Sequence, residues 1–246
     1  MVNLDYLKNL NEAQSQAVTH LEGPLLIVAG AGSGKTKVLT SRIAHIIKEK
    51  KAYPNQILAV TFTNKAAKEM QSRVSKILGA SATSLSWLGT FHSICAKLLR
   101  KHASAVNLNS NFTIIDTDDQ IRLIKNICKA ENIDVKQIAP KYILAIIDKW
   151  KNKGHYPSEV IINSRDIYEK NILPVYKIYQ QKLIDLNACD FGDLILHVVK
   201  ILEKHSDIRE IYSQNFKYIL VDEYQDTNYI QSRWLNLLAE KNKNLC

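Results

Sequence analysis

Leu25-Leu26-Ile27-Val28-Ala29-Gly30-Ala31-Gly32-Ser33-Gly34-Lys35-Thr36 decides how the rest of the chain is read. The apolar run Leu25–Val28 predicts a strand, the glycines a loop, and Lys35-Thr36 the start of a helix reaching about Glu49. Glycines in such a loop let backbone N–H groups turn inward around phosphate oxygens. The helix behind it points its positive dipole end at the same phosphates. Lys35 then reaches the outer phosphates and Thr36 offers its hydroxyl to Mg²⁺. Ala29, Gly30, Ala31, Gly32, Ser33, Gly34, Lys35 and Thr36 are therefore candidates for holding a nucleoside triphosphate. The usual leading glycine is Ala29 here. The loop identifies a triphosphate and leaves open what its energy is used for.

Around this loop strands and helices alternate. Ile57–Phe62 predicts a strand after the Pro54-Asn55 turn, and Asn64–Leu78 a helix with Ala66, Ala67, Met70, Val74 and Ile77 at helical spacing. A short strand near Leu85–Leu88 leads into Gly89-Thr90-Phe91-His92 and a helix to about Lys101, and Phe112–Ile115 predicts a fourth strand. From Thr117 to about Ala188 the pattern is helical only: Asp118–Lys129, Tyr142–Trp150 and Ile167–Leu186, the last starting or kinking at Pro174. The alternation returns with helix Phe191–Leu202, strand Tyr218–Val221 and helix Asn228–Leu238, and Asn244-Leu245-Cys246 begins another strand. The expected fold class is α/β, a P-loop NTPase with a parallel sheet covered by helices on both faces. An all-helical insertion domain over 117–188 interrupts an ATP-binding domain formed by 1–116 and 189–246.

The second half of the site follows from that sheet. Tyr218–Val221 runs into Asp222-Glu223, two carboxylates at the carboxyl end of an apolar strand, where α/β sheets bind ligands. Asp222 is the expected Mg²⁺ holder, and Glu223 the general base that orients and deprotonates water. Lys35 and Glu223 are thus the catalytic candidates, with Thr36 and Asp222 for the metal.

The whole chain narrows the class further. Its 246 residues carry a net charge of +9, which suggests a polyanionic partner. Residues 1–116 hold 14 Lys/Arg against 6 Asp/Glu, whereas residues 189–246 hold 7 against 9, so the excess sits with the glycine loop. Cys95, Cys128, Cys189 and Cys246 are too scattered for zinc or redox pairs. Met1-Val2-Asn3-Leu4-Asp5 has no secretory pattern and no apolar run approaches a membrane span, so the expectation is a cytoplasmic protein away from membranes. A guanine-specific NTPase would need Asn-Lys-x-Asp, and Asn64-Lys65-Ala66-Ala67 lacks the aspartate.

Taken in order, several motifs resemble those of superfamily 1 DNA helicases of the UvrD/Rep/PcrA type. Leu10-Asn11-Glu12-Ala13-Gln14-Ser15-Gln16-Ala17-Val18 is similar to the adenine-reading Q motif, Ala29–Thr36 to Walker A, and Thr61-Phe62-Thr63-Asn64-Lys65-Ala66-Ala67 to motif Ia. Gly89-Thr90-Phe91-His92 resembles motif Ib, and Asp222-Glu223-Tyr224-Gln225-Asp226-Thr227-Asn228 resembles motif II. Asp190-Phe191-Gly192-Asp193-Leu194 belongs to the same resemblance.

The resemblance implies that Gln14 pairs with adenine, that Arg73 and Lys37 (where relatives usually have Arg) lie near the nucleotide, and that Phe62, Thr63, Asn64, Thr90 and His92 contact DNA. From the residues alone, Phe62 is either a core ring or one that emerges to stack on a base. Arg73, four residues after Glu69, is equally placed for an exposed ion pair. Lys149-Trp150-Lys151-Asn152-Lys153 reads as a solvated helix end, or as a strand-contacting loop.

The implied function is an ATP-dependent, 3′–5′ DNA helicase or translocase of DNA repair, using ATP and Mg²⁺. Its partners are single-stranded DNA and ss/ds junctions. A second RecA-like lobe, which carries motif III and the arginine fingers, is absent from this chain. Such fingers are worth ~10³–10⁵ in rate, so the chain alone is expected to bind Mg·ATP weakly, hydrolyse it very slowly and not unwind DNA. The alternatives are a truncated, non-catalytic nucleotide- and DNA-binding remnant, or the N-terminal part of a RecB/AddA-type helicase-nuclease.

Overall fold

The computed structural model describes residues 5–30, 32–79, 85–133, 138–162 and 167–246. In chain order it forms α1 (Asp5–Lys8), α2 (Glu12–Thr19), α3 (Lys35–Lys48), β1 (Ile57–Thr61), α4 (Asn64–Leu78), β2 (Leu88–Thr90), α5 (Phe91–Lys101) and β3 (Thr113–Ile114). It continues with α6 (Thr117–Ala130), α7 (Pro140–Asn152), α8 (Ile167–Asp185), β4 (Ala188–Cys189), α9 (Phe191–Lys204), α10 (Ser206–Asn215), β5 (Tyr218–Val221) and α11 (Tyr229–Ala239). Two compact units result. One comprises Met1–Ile94, His205–Thr227 and Leu235–Cys246, and the other Cys95–Lys204 and Asn228–Trp234. Residues 95–116, 189–204 and 228–234, expected in the α/β part, group with the helices.

The first unit is built on a parallel sheet in the order β2-β1-β5. Its register pairs Ala59 with Leu88 and Leu220, and Thr61 with Thr90. Every residue of β1 and β5 is buried, as expected for apolar strands covered on both faces. One face is closed by Leu39, Ile43 and Ile46 of α3 and by Met70 and Val74 of α4, against Ile57, Ala59, Tyr218 and Leu220. Helix α4 forms where expected because Thr63 Oγ1 accepts from Ala66 N (3.1 Å) at its start, and Ala67, Met70 and Val74 recur on its buried face.

Two strand expectations in this unit are corrected. Leu25–Val28 is not a strand: Leu25 N donates to Leu245 O (2.9 Å), but residues 26–28 carry no ladder, and Leu26 and Val28 are 75% and 86% exposed. The neighbouring segment runs beside β5 through Ile219 N–Asn244 O, Cys246 N–Ile219 O and Val221 N–Cys246 O, bridging Ile219 to Leu245. It offers Leu25 a single carbonyl, and an apolar run without a neighbouring ladder is not a strand. The strand predicted at Leu85–Leu88 is β2, shifted onward to include Gly89 and Thr90.

The second unit is helical. Ile124 and Ile127 of α6, Ile143, Ile147 and Trp150 of α7, and Ile172, Tyr176, Tyr179 and Leu183 of α8 share one core. β3 is not a fourth strand of the main sheet; it pairs in parallel with β4, Thr113 with Ala188 and Ile114 with Cys189. Helix α8 does not begin at Pro174 but runs through it. Losing that N–H costs about 3 kcal/mol, and burying Ile172, Val175, Tyr176, Tyr179 and Leu183 outweighs it.

The Lys149–Lys153 stretch is neither a solvated end nor a DNA loop at its centre. Trp150 is buried and stacks on Tyr176 (5.7 Å), and Lys149 pairs with Glu169 (3.4 Å). Lys151 is wholly buried between Asp190 (2.6 Å) and Asp193 (2.7 Å). Tyr179 Oη donates to Asp190 (2.9 Å) and Gln180 Nε2 to Asp193 (3.0 Å), so the aspartates of Asp190-Phe191-Gly192-Asp193 hold a charge inside the helical core.

Candidate active site

The glycine loop takes its shape from two residues that only glycine fits easily. Gly32 lies at φ 75° and Gly34 at φ 90°, in the left-handed region. Ser33 closes the loop, its N and Oγ donating to Gly30 O at 3.3 and 2.7 Å. Lys35 Nζ rests on the loop's own carbonyls, Ala29 O (3.1 Å) and Gly30 O (3.3 Å), so its charge is aimed into the loop. Ala31 lies outside the described residues. Gln14 joins the loop from α2: its Nε2 donates to Ser33 O (2.9 Å), and its Oε1 accepts from Asn11 N (3.1 Å). Lys37 Nζ reaches Asn9 O (2.6 Å).

The carboxylates arrive from β5. Asp222 N donates to Val60 O (3.0 Å), extending the ladder by one residue and placing the buried Asp222 carboxyl at the strand end. Thr36 Oγ1 stands 3.4 Å from Asp222 Oδ2, so residues 186 apart in sequence meet. Burial, followed by the charge of Glu223, pushes the Asp222 carboxyl above its ordinary value, while Thr36 and Lys35 pull the other way. A cation between Thr36 and Asp222 would favour the ionised form. Glu223 is exposed at φ 54°, a left-handed conformation costly for a residue with a Cβ. Gln225 Nε2 holds its carboxylate at 2.6 Å.

The DNA candidates lie at the same carboxyl edge of the sheet. Phe62 is half-buried, its ring 5.3 Å from that of the buried Phe91, so one side of it is core. Thr63 and Asn64 are exposed at the start of α4. Thr90 is committed to the start of α5: its Oγ1 accepts from Ser93 N (3.2 Å), and Ser93 Oγ lies 2.9 Å from Thr90 N. Burial lowers His92, which favours a neutral imidazole there. The family model for the UvrD/REP helicase N-terminal domain matches residues 10–246. The chain belongs to that family.

Curated relatives agree with this membership. The chain is 47% identical over 249 residues to a probable DNA helicase II homolog of Rickettsia conorii, covering 100% of the chain and 38% of the relative. It is 47% identical over 240 residues to an ATP-dependent DNA helicase PcrA of Staphylococcus epidermidis, covering 98% and 33%, and 46% identical to one of Staphylococcus aureus. The chain thus spans 33–38% of the length of these relatives.

Within the UvrD/REP fold, one candidate stands apart. Arg73 pairs with Glu69 on its own helix rather than with the loop. Two contributors escape a motif-by-motif reading. Ser93 sits three residues after Thr90, a spacing that signals a helix cap. Arg42 lies in the middle of α3 between Ser41 and Ile43, and it is buried. Among the described residues no helix is long and apolar enough to cross a membrane.

Proposed function

We propose that the chain is the N-terminal part of a cytoplasmic, ATP-dependent DNA helicase or translocase of DNA repair, moving 3′ to 5′. The observation that carries this reading is the approach of Thr36 Oγ1 to Asp222 Oδ2 at 3.4 Å, which brings the glycine loop and the second motif to one point. The residues fit a magnesium-bound triphosphate. Cβ atoms at Gly30 and Gly32 would meet nothing within 4 Å, which leaves the inner surface of the loop open. The donor set is an ammonium, backbone N–H groups and a hydroxyl beside a carboxylate.

Lys35 and backbone N–H groups of the glycine loop would hold the phosphates, and Thr36 and Asp222 would hold the metal. When bound, Mg²⁺ neutralises phosphate charge and orients the triphosphate. Glu223 accepts a proton from water on its carboxylate, with Gln225 fixing its direction. Gln14 faces the base and Lys37 flanks it. Arg73 joins them only if it leaves Glu69. At the sheet edge Phe62 stacks on a base of single-stranded DNA, and Thr63, Asn64, Thr90 and His92 line the same path up to an ss/ds junction. The relatives are named as DNA helicases, which supports the DNA substrate. A second lobe following this chain supplies the arginines that hydrolysis needs.

Single-turnover hydrolysis of Mg·ATP tests the reading. Glu223→Gln is expected to keep binding and lose hydrolysis, and Lys35→Ala to lose binding. Unchanged hydrolysis in Glu223→Gln removes Glu223 as base. Fast DNA-stimulated turnover by the chain alone contradicts the need for a second lobe.

A further inference from the structure

Helix α3 does more than present Lys35 and Thr36. Four of its polar side chains hold the segment that carries Gln14. Lys37 Nζ donates to Asn9 O (2.6 Å), His45 Nδ1 meets Tyr6 Oη (2.8 Å), and Lys48 lies over the Tyr6 ring (4.4 Å). The fourth is Arg42, 1% exposed, whose Nη1 donates to Ala17 O (2.7 Å) and to His20 O. Those carbonyls belong to the carboxyl end of α2, where helix carbonyls lack partners of their own and the dipole is negative. A buried guanidinium makes a strong, charge-assisted cap for them, and its planar head places Nη1 between both carbonyls.

The other end of α2 is closed by a reciprocal pair, Gln14 N to Asn11 Oδ1 (2.8 Å) and Asn11 N to Gln14 Oε1 (3.1 Å). With both ends fixed, the Gln14 amide stands over the loop, Nε2 on Ser33 O (2.9 Å). That leaves one N–H and one lone pair on the amide. Such a pair matches the acceptor and amino donor on the outer edge of adenine, whereas guanine presents an oxygen in place of the amino group.

We propose that Arg42 is the positioning residue for base selection: by gripping the carboxyl end of α2 it fixes Gln14, so its loss spares triphosphate binding and removes the preference for adenine. This rests on the nucleotide-site reading above. Calorimetric titrations of the chain with Mg·ATP and Mg·GTP, in wild type, Arg42→Lys, Gln14→Ala and the double variant, test it. Wild type prefers ATP. Arg42→Lys lowers ATP affinity by about tenfold and changes GTP affinity by less than about twofold. The double variant is no worse than Gln14→Ala, because both act through one amide.

A wild-type ratio of affinities in Arg42→Lys, equal losses for both nucleotides, or additive losses in the double variant overturn the role of Arg42 alone. Failure of the wild-type chain to bind either nucleotide overturns the nucleotide site itself, and this role with it. Amide exchange in the wild-type chain gives a check that needs no variant. Mg·ATP slows exchange over residues 14–19 and Mg·GTP does not; equal slowing by both contradicts the proposal.

Discussion

Gly34 shows what the loop asks of individual residues. At φ 90° it occupies backbone space that a side chain resists, and a Cβ there would lie 3.1 Å from Gln14 Nε2. Gly34→Ala is expected to lower thermal stability by about 1–2 kcal/mol and to weaken ATP binding, both read from melting curves with and without Mg·ATP. Glu223 holds a left-handed φ of 54° without being glycine. Glu223→Gly should therefore raise stability by up to about 1 kcal/mol while abolishing hydrolysis, the opposite signs marking strain kept for chemistry. Lys35, Thr36, Asp222 and Glu223 were legible as candidates in the sequence because phosphate and metal chemistry ask for those residue types after a glycine loop and at a strand end. The choice between Arg73's two placements, beside the nucleotide or on Glu69, was not legible, since only the fold shows the pair with Glu69. Lys151 was not either: nothing local distinguishes a solvated lysine from one placed between two aspartates contributed by α9 and its approach.

At the scale of elements, β1, β5 and α4 could be read because each is a self-contained pattern, an apolar run or a capped amphipathic stretch. Leu25–Val28 has the same pattern and fails as a strand because the ladder must come from a neighbour, which supplies one carbonyl. β3 has strand composition yet pairs only with β4, a partner 75 residues further along that no local signal identifies. The helical core places its largest electrostatic stake in one cluster, where Lys151, Asp190 and Asp193 are all fully buried. Lys151→Met strands two carboxylates and is expected to cost about 3–5 kcal/mol in denaturant unfolding. Adding Asp190→Asn and Asp193→Asn should return much of that loss, because the penalty lies in unpaired charge rather than in missing attraction.

Over the whole molecule, pH acts through histidines that folding wholly or partly removes from water. Burial lowers His45, His92 and His197, so each binds fewer protons folded than unfolded. Their contribution is full above the ordinary value of 6.5 and is lost as pH falls through it. Asp148, pushed up to about 6 by burial and then by Asp190, works in the opposite sense, favouring the folded state as it takes up its proton. His197→Gln keeps a hydrogen-bonding partner for Tyr156 and should flatten the fall in stability as pH drops below about 6.5; an unchanged slope would exclude His197 as a contributor. The excess of positive charge in the first 116 residues makes the proposed DNA binding weaken with salt. Phe62→Leu, which retains packing on Phe91, should cost ~1–3 kcal/mol of single-strand affinity at any fixed salt. The central claim, that the glycine loop and Asp222 form one magnesium-nucleotide site, is tested most directly by the Mg²⁺ dependence of ATP affinity in wild type and Asp222→Asn. Calorimetry should show Mg²⁺ tightening ATP binding in wild type and that gain falling by about tenfold in Asp222→Asn. The same Mg²⁺ gain in both proteins would contradict the account.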